Sequence, residues 1–178
     1  MISKEGLRDF LARPRTSWKH VKRWSRADIL EALDDEGIPR SFKTLPRKHQ
    51  LASYYVCSLN RKFLLLLDMG TGKTKIVLDL LTAAIKRACA KGKRIQALVL
   101  VPKKVHMGSW QEQVAMHSDL TIDVAEAVNI ERKWETIATS DADVVVIDYQ
   151  GFGLAVCRRA RVAGKTKLVR DDARVREL

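Results

Sequence analysis

Seven consecutive residues, Asp68-Met69-Gly70-Thr71-Gly72-Lys73-Thr74, are of the types that phosphate chemistry needs. Glycines let a backbone turn tightly, so that its N–H groups aim at phosphate oxygens. A lysine beside them neutralises the β- and γ-phosphates, and the next threonine hydroxyl is placed to take magnesium. The general pattern is Gly-x-x-x-x-Gly-Lys-Ser/Thr. Gly72, Lys73 and Thr74 match its second half. Leu67 stands where the first glycine is expected, and Gly70 lies two residues before Gly72 instead. These residues predict a site for ATP with Mg2+. Without their context they would read as a glycine-rich turn with an exposed lysine.

Such a loop works only if a strand delivers it and a helix receives it. The apolar run Phe63 to Leu67 predicts a parallel strand buried on both faces. From Thr74 to about Ala90 the pattern predicts a helix, with Val77, Leu80, Leu81, Ala84 and Ala88 inward and Lys75, Asp79 and Lys86 outward. The N-terminus of that helix would add a favourable dipole under the phosphates. Polar residues Lys91 to Arg94, including Gly92, connect it to the next strand. Further strands are expected at Ile95 to Val101, ended by Pro102, at 120–128, and at Val144 to Ile147. Helices are expected at Ser109 to His117, opened by a Ser-x-x-Glu box, and around Ile130, Trp134, Ile137 and Ala138. Alternating strands and helices predict an α/β fold, a parallel sheet with helices on its faces.

Upstream, residues 1–44 form a basic segment with Trp18 and Trp24. One short helix is expected from Arg26 to Glu36, with Ser25 and Asp28 as its capping box and Gly37 and Pro39 as its stop. Its tryptophans read as packing residues, with direct DNA contact as the alternative. A second helix is expected from near Pro46 to Leu59, with Leu51, Tyr55 and Leu59 on one face. Residues 45–178 make up the main domain.

Composition narrows the class. Among 178 residues, 33 Lys and Arg against 21 Asp and Glu give a net charge of +12. The excess is uneven: +5 over residues 1–50, +2 over 51–150 and +5 over 151–178. Two basic flanks around a near-neutral middle suit a polyanion, with nucleic acid first, or else a solvated basic surface. The longest aliphatic run is too short to span a bilayer, and the N-terminus has no signal-peptide pattern. The three cysteines, Cys57, Cys89 and Cys157, are widely spaced and read as small core residues of a reduced compartment. The expected location is cytoplasmic in a bacterium or phage, or nuclear in a eukaryote. Four histidines show no metal-ligand spacing.

With the loop placed, the chain resembles the first RecA-like, ATP-binding domain of superfamily 2 helicases, specifically the Swi/Snf-type DNA translocases, from about Leu45 to Phe152. Leu45-Pro46-Arg47-Lys48-His49-Gln50 is similar to the segment that reads adenine in that family, which implies Gln50 as the adenine reader. Met69-Gly70-Thr71-Gly72-Lys73-Thr74, preceded by Asp68, resembles its phosphate loop. Leu98-Val99-Leu100-Val101-Pro102, with Trp110 and Glu112, resembles a strand and helix whose loop touches the DNA backbone, which implies Lys103 and Lys104 as phosphate-facing. Val145-Val146-Ile147-Asp148-Tyr149 resembles a strand ending in a tyrosine pair on the DNA side, implying Tyr149 there too. Asp148 could instead be a magnesium-binding aspartate of Walker B type, but no glutamate follows it, and the order of segments favours the tyrosine strand.

The resemblance implies ATP hydrolysis coupled to movement on duplex DNA. It also implies that residues 1–178 stop before the Asp-Glu motif and lack the second RecA-like domain that hydrolysis needs, so that this chain alone is expected to be weak or inactive. The stretch Arg158 to Arg176 is expected to lead toward the missing strand. Three alternatives stand beside this one: a nucleotide- or nucleic-acid-binding module without hydrolysis, an RNA helicase of the same superfamily, and a phosphate-loop kinase in which Asp148 binds magnesium.

Overall fold

The computed structural model describes residues 18–60, 62–126, 129–162 and 165–177. Within them the chain divides into two compact units. Residues 18–40 and 46–76 form one, and residues 41–45 and 77–177 form the other.

The first unit is helical. Helix α1 spans Trp18–Val21, α2 spans Arg26–Asp35 and α3 spans Lys48–Ser58. The expected box closes α2: the Ser25 Oγ accepts from the Asp28 N–H at 3.1 Å, and the Asp28 carboxylate accepts from the Ser25 N–H at 2.8 Å. These bonds, backbone first, hold the Asp28 carboxyl below its usual value. Gly37, at φ 61°, carries the chain out of the helix. Val21, Ile29, Leu33, Leu51 and Tyr54 are fully buried. Trp24 lies 5.7 Å from Tyr55, ring to ring, so this tryptophan packs as expected. Leu59 is exposed rather than continuing the Leu51–Tyr55 face.

The second unit holds the parallel sheet. Its strands are β1 (Ala97–Val101), β2 (Ile122–Val124) and β3 (Val144–Asp148), in the order β1-β3-β2. Leu98 pairs with Val145 and Leu100 with Ile147; Asp123 pairs with Val145 from the other side. All five residues of β3 are buried, as a central strand covered on both faces requires. Val145 and Ile147 face one layer with Ile137, Trp134, Ala155 and Phe152. Val144 and Val146 face the other with Met107, Trp110 and Leu81. The covering helices are α4 (Lys73–Cys89), α5 (Val105–His117), α6 (Ile130–Thr139) and α7 (Tyr149–Ala155). The Lys43 ammonium donates to the Ala115 and Ser118 carbonyls at 3.0 and 2.9 Å, capping the C-terminus of α5. The Asn129 side chain caps α6 by accepting from the Glu131 N–H.

Five expectations need correction. The run 63–67 is not a strand and pairs with no described residue; Leu64 and Leu66 are about four-fifths exposed. An apolar run shows only that its residues gain by being covered, not that a ladder partner exists. Helix α4 buries most fully a face other than the one expected: Lys75, Ile76, Leu78, Asp79, Thr82, Ala83 and Ile85 are buried and Ala84 is exposed, although Leu81 packs on the sheet and Lys86 is exposed as expected. Ile76 with Ala83 and Leu78 with Ile85 edge a buried arc centred on Lys75, Asp79 and Thr82, a face that charge patterning alone assigns to water. Helix α5 starts four residues early, leaving Ser109 inside it and its box unformed. Cys89 is exposed and Cys157 half-buried, so only Cys57 is a core cysteine. Finally, β4 (Cys157–Val162) and β5 (Lys165–Arg170) form a separate antiparallel hairpin, followed by α8 (Asp172–Glu177).

The expected strand at 120–128 is confined to Ile122–Val124, and its end at 127–128 lies outside the described residues, as do 1–17 of the basic N-terminal segment. No helix among the described residues is long and apolar enough to cross a membrane.

Candidate functional site

The loop turns at two glycines with left-handed backbone, Gly70 at φ 76° and Gly72 at φ 81°. Only glycine holds such angles without strain. The Thr71 Oγ1 donates to the Asp68 carbonyl at 2.8 Å and tightens the turn. Lys73 is the first residue of α4, a helix of 17 residues, and Thr74 the second. Their N–H groups therefore belong to the first turn, which has no helical acceptors of its own. The Lys73 ammonium folds back on the loop and donates to the carbonyls of Leu67 and Asp68, each at 2.9 Å. These two carbonyls hold the charge that a phosphate would otherwise take. Met69 is almost wholly exposed.

A second layer supports the loop from α3. The Gln50 side-chain oxygen accepts from the Arg47 N–H at 2.8 Å, and its amide nitrogen donates to the Thr71 carbonyl at 3.0 Å. His49 Nε2 reaches the same carbonyl at 3.0 Å. A Cβ on Gly72 would overlap the Gln50 amide, so the missing side chain at 72 is what lets α3 sit against the loop. Gln50 is 7% exposed and keeps one N–H and one lone pair uncommitted. His49 was not among the predicted site residues. The only signal for it in the sequence is its place beside Gln50.

The predicted nucleic-acid residues lie in the other unit, at the C-terminal ends of β1 and β3. Lys103 and Lys104 line a depression of about 240 Å³ together with Lys133, Asp148, Gln150 and Gly151. Tyr149 opens α7 and is more than half exposed, but it does not line this depression. The crevice at the carboxyl ends of parallel strands is where open α/β sheets bind ligands. At its floor the Lys133 ammonium lies 3.9 Å from Asp148 Oδ1, both side chains about nine-tenths buried. That oxygen accepts no hydrogen bond from the described residues. Gly151 admits α7 over the pair, since a Cβ there would overlap both charged groups. Lys104 is shared with Glu126 at 3.6 Å. Lys133 too was missed, although it falls in the stripe Ile130, Trp134, Ile137, where a charge calls for a buried partner. A larger depression of about 500 Å³ beside α6 is lined by Asp123, Arg132, Glu135 and Thr136, none of them candidates on chemical grounds.

No protein-family model matches the chain, and no curated protein matches it significantly.

Proposed function

We propose that the chain is the ATP-binding part of a Swi/Snf-type DNA-dependent ATPase, a RecA-like helicase domain that couples hydrolysis to movement on duplex DNA in the full-length protein. The observation that carries this reading is the loop itself. Two left-handed glycines set Lys73 and Thr74 at the start of a long helix, with Gln50 bonded to the loop from α3.

In this proposal the first-turn N–H groups of α4 hold phosphate oxygens, and the Lys73 ammonium exchanges its two carbonyl partners for the β- and γ-phosphates. The Thr74 hydroxyl binds the magnesium that accompanies ATP; that ion supplies neutralisation of charge on the phosphates. The N–H and lone pair left on Gln50 match the donor and acceptor of an adenine edge. Lys103, Lys104 and Tyr149, at the carboxyl edge of the sheet, serve the nucleic acid. The kinase alternative needs Asp148 open to magnesium, and its close ammonium partner disfavours that.

A Lys73→Ala change is expected to weaken binding of a fluorescent ATP analogue by roughly 10- to 100-fold, the worth of a charge-assisted contact. Unchanged affinity would end the nucleotide reading. Phosphate release with and without duplex DNA comes next. Analogue binding with no DNA-stimulated turnover supports a binding module; fast stimulated turnover supports a complete ATPase.

A further inference from the structure

The β4–β5 hairpin has no role in the site above, and its register carries information that its sequence alone does not. Residues 157–170 hold six cations, Arg158, Arg159, Arg161, Lys165, Lys167 and Arg170, and no carboxylate. The strands pair Cys157 with Arg170, Arg158 with Val169, Arg159 with Leu168, Ala160 with Lys167, Arg161 with Thr166 and Val162 with Lys165. Every cross-strand pair therefore contains one cation and one uncharged residue. No cation stands opposite another, which removes the repulsion that like charges across a ladder would cause. Partners share a face and faces alternate, so positions 159, 161 and 170 fall on one side and 158, 165 and 167 on the other.

The ribbon is a sheet of its own, with neither edge paired to a third strand among the described residues. Thr166 to Arg170 are all exposed, including the apolar Leu168 and Val169. A two-stranded ribbon is marginal in water without support. Here the support is all at the base. The Asp171 N–H donates to the Val156 carbonyl, and the Arg174 guanidinium donates to the carbonyls of Ala155 and Cys157 while lying 5.4 Å over the Trp134 ring. The two carboxylates nearby also act at the base: Asp171 pairs with Arg158 at 3.7 Å and Asp172 with Arg170 at 3.1 Å. Positive charge is thus offset where the hairpin joins the body, and carries no acidic neighbour in sequence toward its tip.

We propose that this hairpin is a DNA-gripping arm whose ladder of single cations lies along the phosphate backbone of a duplex. The proposal rests on the nucleic-acid partner of the reading above. A strand advances about 3.4 Å per residue, so same-face cations such as those at 159 and 161 stand about 6.8 Å apart, or two phosphate steps. Phosphates on one strand of B-DNA advance about 3.4 Å along the axis. A two-stranded ribbon is also of a size that the major groove admits. The exposed Leu168 and Val169 give the arm apolar surface that a groove wall can cover.

The test uses the full chain and a short DNA duplex, with affinity followed by fluorescence anisotropy as salt rises. Each phosphate neutralised adds about 0.9 to the slope of log affinity against log salt. Combining Arg159→Gln, Arg161→Gln, Lys165→Gln and Lys167→Gln is expected to lower that slope by roughly 3 to 4, with binding of the ATP analogue retained. Arg159→Lys with Arg161→Lys is expected to keep the parent slope, which separates charge from folding. If the parent binds DNA and the four-fold variant has the same slope and affinity, the arm is overturned while the nucleic-acid reading stands. If the variant loses its slope but neither protein binds ATP, the arm stands and the ATPase reading falls. A parent with no affinity for the duplex overturns the arm outright. Tighter binding to a matched RNA duplex would overturn the assignment to DNA.

Discussion

Two glycines two residues apart share a backbone conformation but do different work. Gly70 has open space where a Cβ would go, while a Cβ on Gly72 would meet the Gln50 amide. Gly70→Ala is therefore expected to cost only the left-handed strain of a non-glycine residue, about 1–2 kcal/mol. Gly72→Ala adds to that strain the loss of the Gln50 bond to Thr71, about 1 kcal/mol more. Thermal denaturation of both variants checks the order, and equal losses would show that α3 does not depend on the notch. At this scale the sequence was informative about the turn, because two glycines so close before a helix mark a tight change of direction. It could not show that Gln50 spends its amide on the loop, since that bond joins residues 21 positions apart through a local geometry that no periodicity encodes.

At the scale of elements, the pair under α7 carries the clearest consequence. Lys133 comes from α6 and Asp148 from the end of β3, and each is buried because the other is there. Lys133→Met is expected to cost about 3–5 kcal/mol by stranding a buried carboxylate. Adding Asp148→Asn should recover much of that loss, because the uncompensated charge disappears. Chemical denaturation of the single and double variants reads this directly, and additive losses would mean the two groups do not interact. Strand β3 and the capping box of α2 were legible in sequence because each is a local pattern. The face of α4 was not. Lys75 and Asp79 sit one turn apart on its buried side, and pattern reading assigns charged residues to water unless a partner is known. The hairpin was illegible for a related reason: the placing of each cation of 157–162 and 165–170 opposite an uncharged residue appears only once the register is set.

At the scale of the whole molecule, the three cysteines report on the two units separately. Cys57 is buried in the first, and burial raises its thiol to about 11 from a usual 9.0. A raised acid favours its protonated form in the folded state. Its contribution is fully present below pH 9 and is lost as pH climbs from about 9 through 11. Thiol labelling at mildly alkaline pH is expected to modify Cys89 promptly and Cys57 only when the first unit opens. A Cys57→Ala protein should lose less stability than the parent between pH 9 and 11. Simultaneous labelling of Cys57 and Cys89 in native buffer would show that the first unit does not hold together.

The uncovered leucines at 64 and 66 have a practical side. Phe63-Leu64-Leu65-Leu66-Leu67 is uncharged, free of proline and without a ladder partner among the described residues. Five such residues side by side form the kind of segment from which cross-β stacking starts. Raised protein concentration is then expected to favour association through this segment. A sample that ages badly would be expected to show its first new β-structure at those five residues, directly before the turn at Gly70 and Gly72.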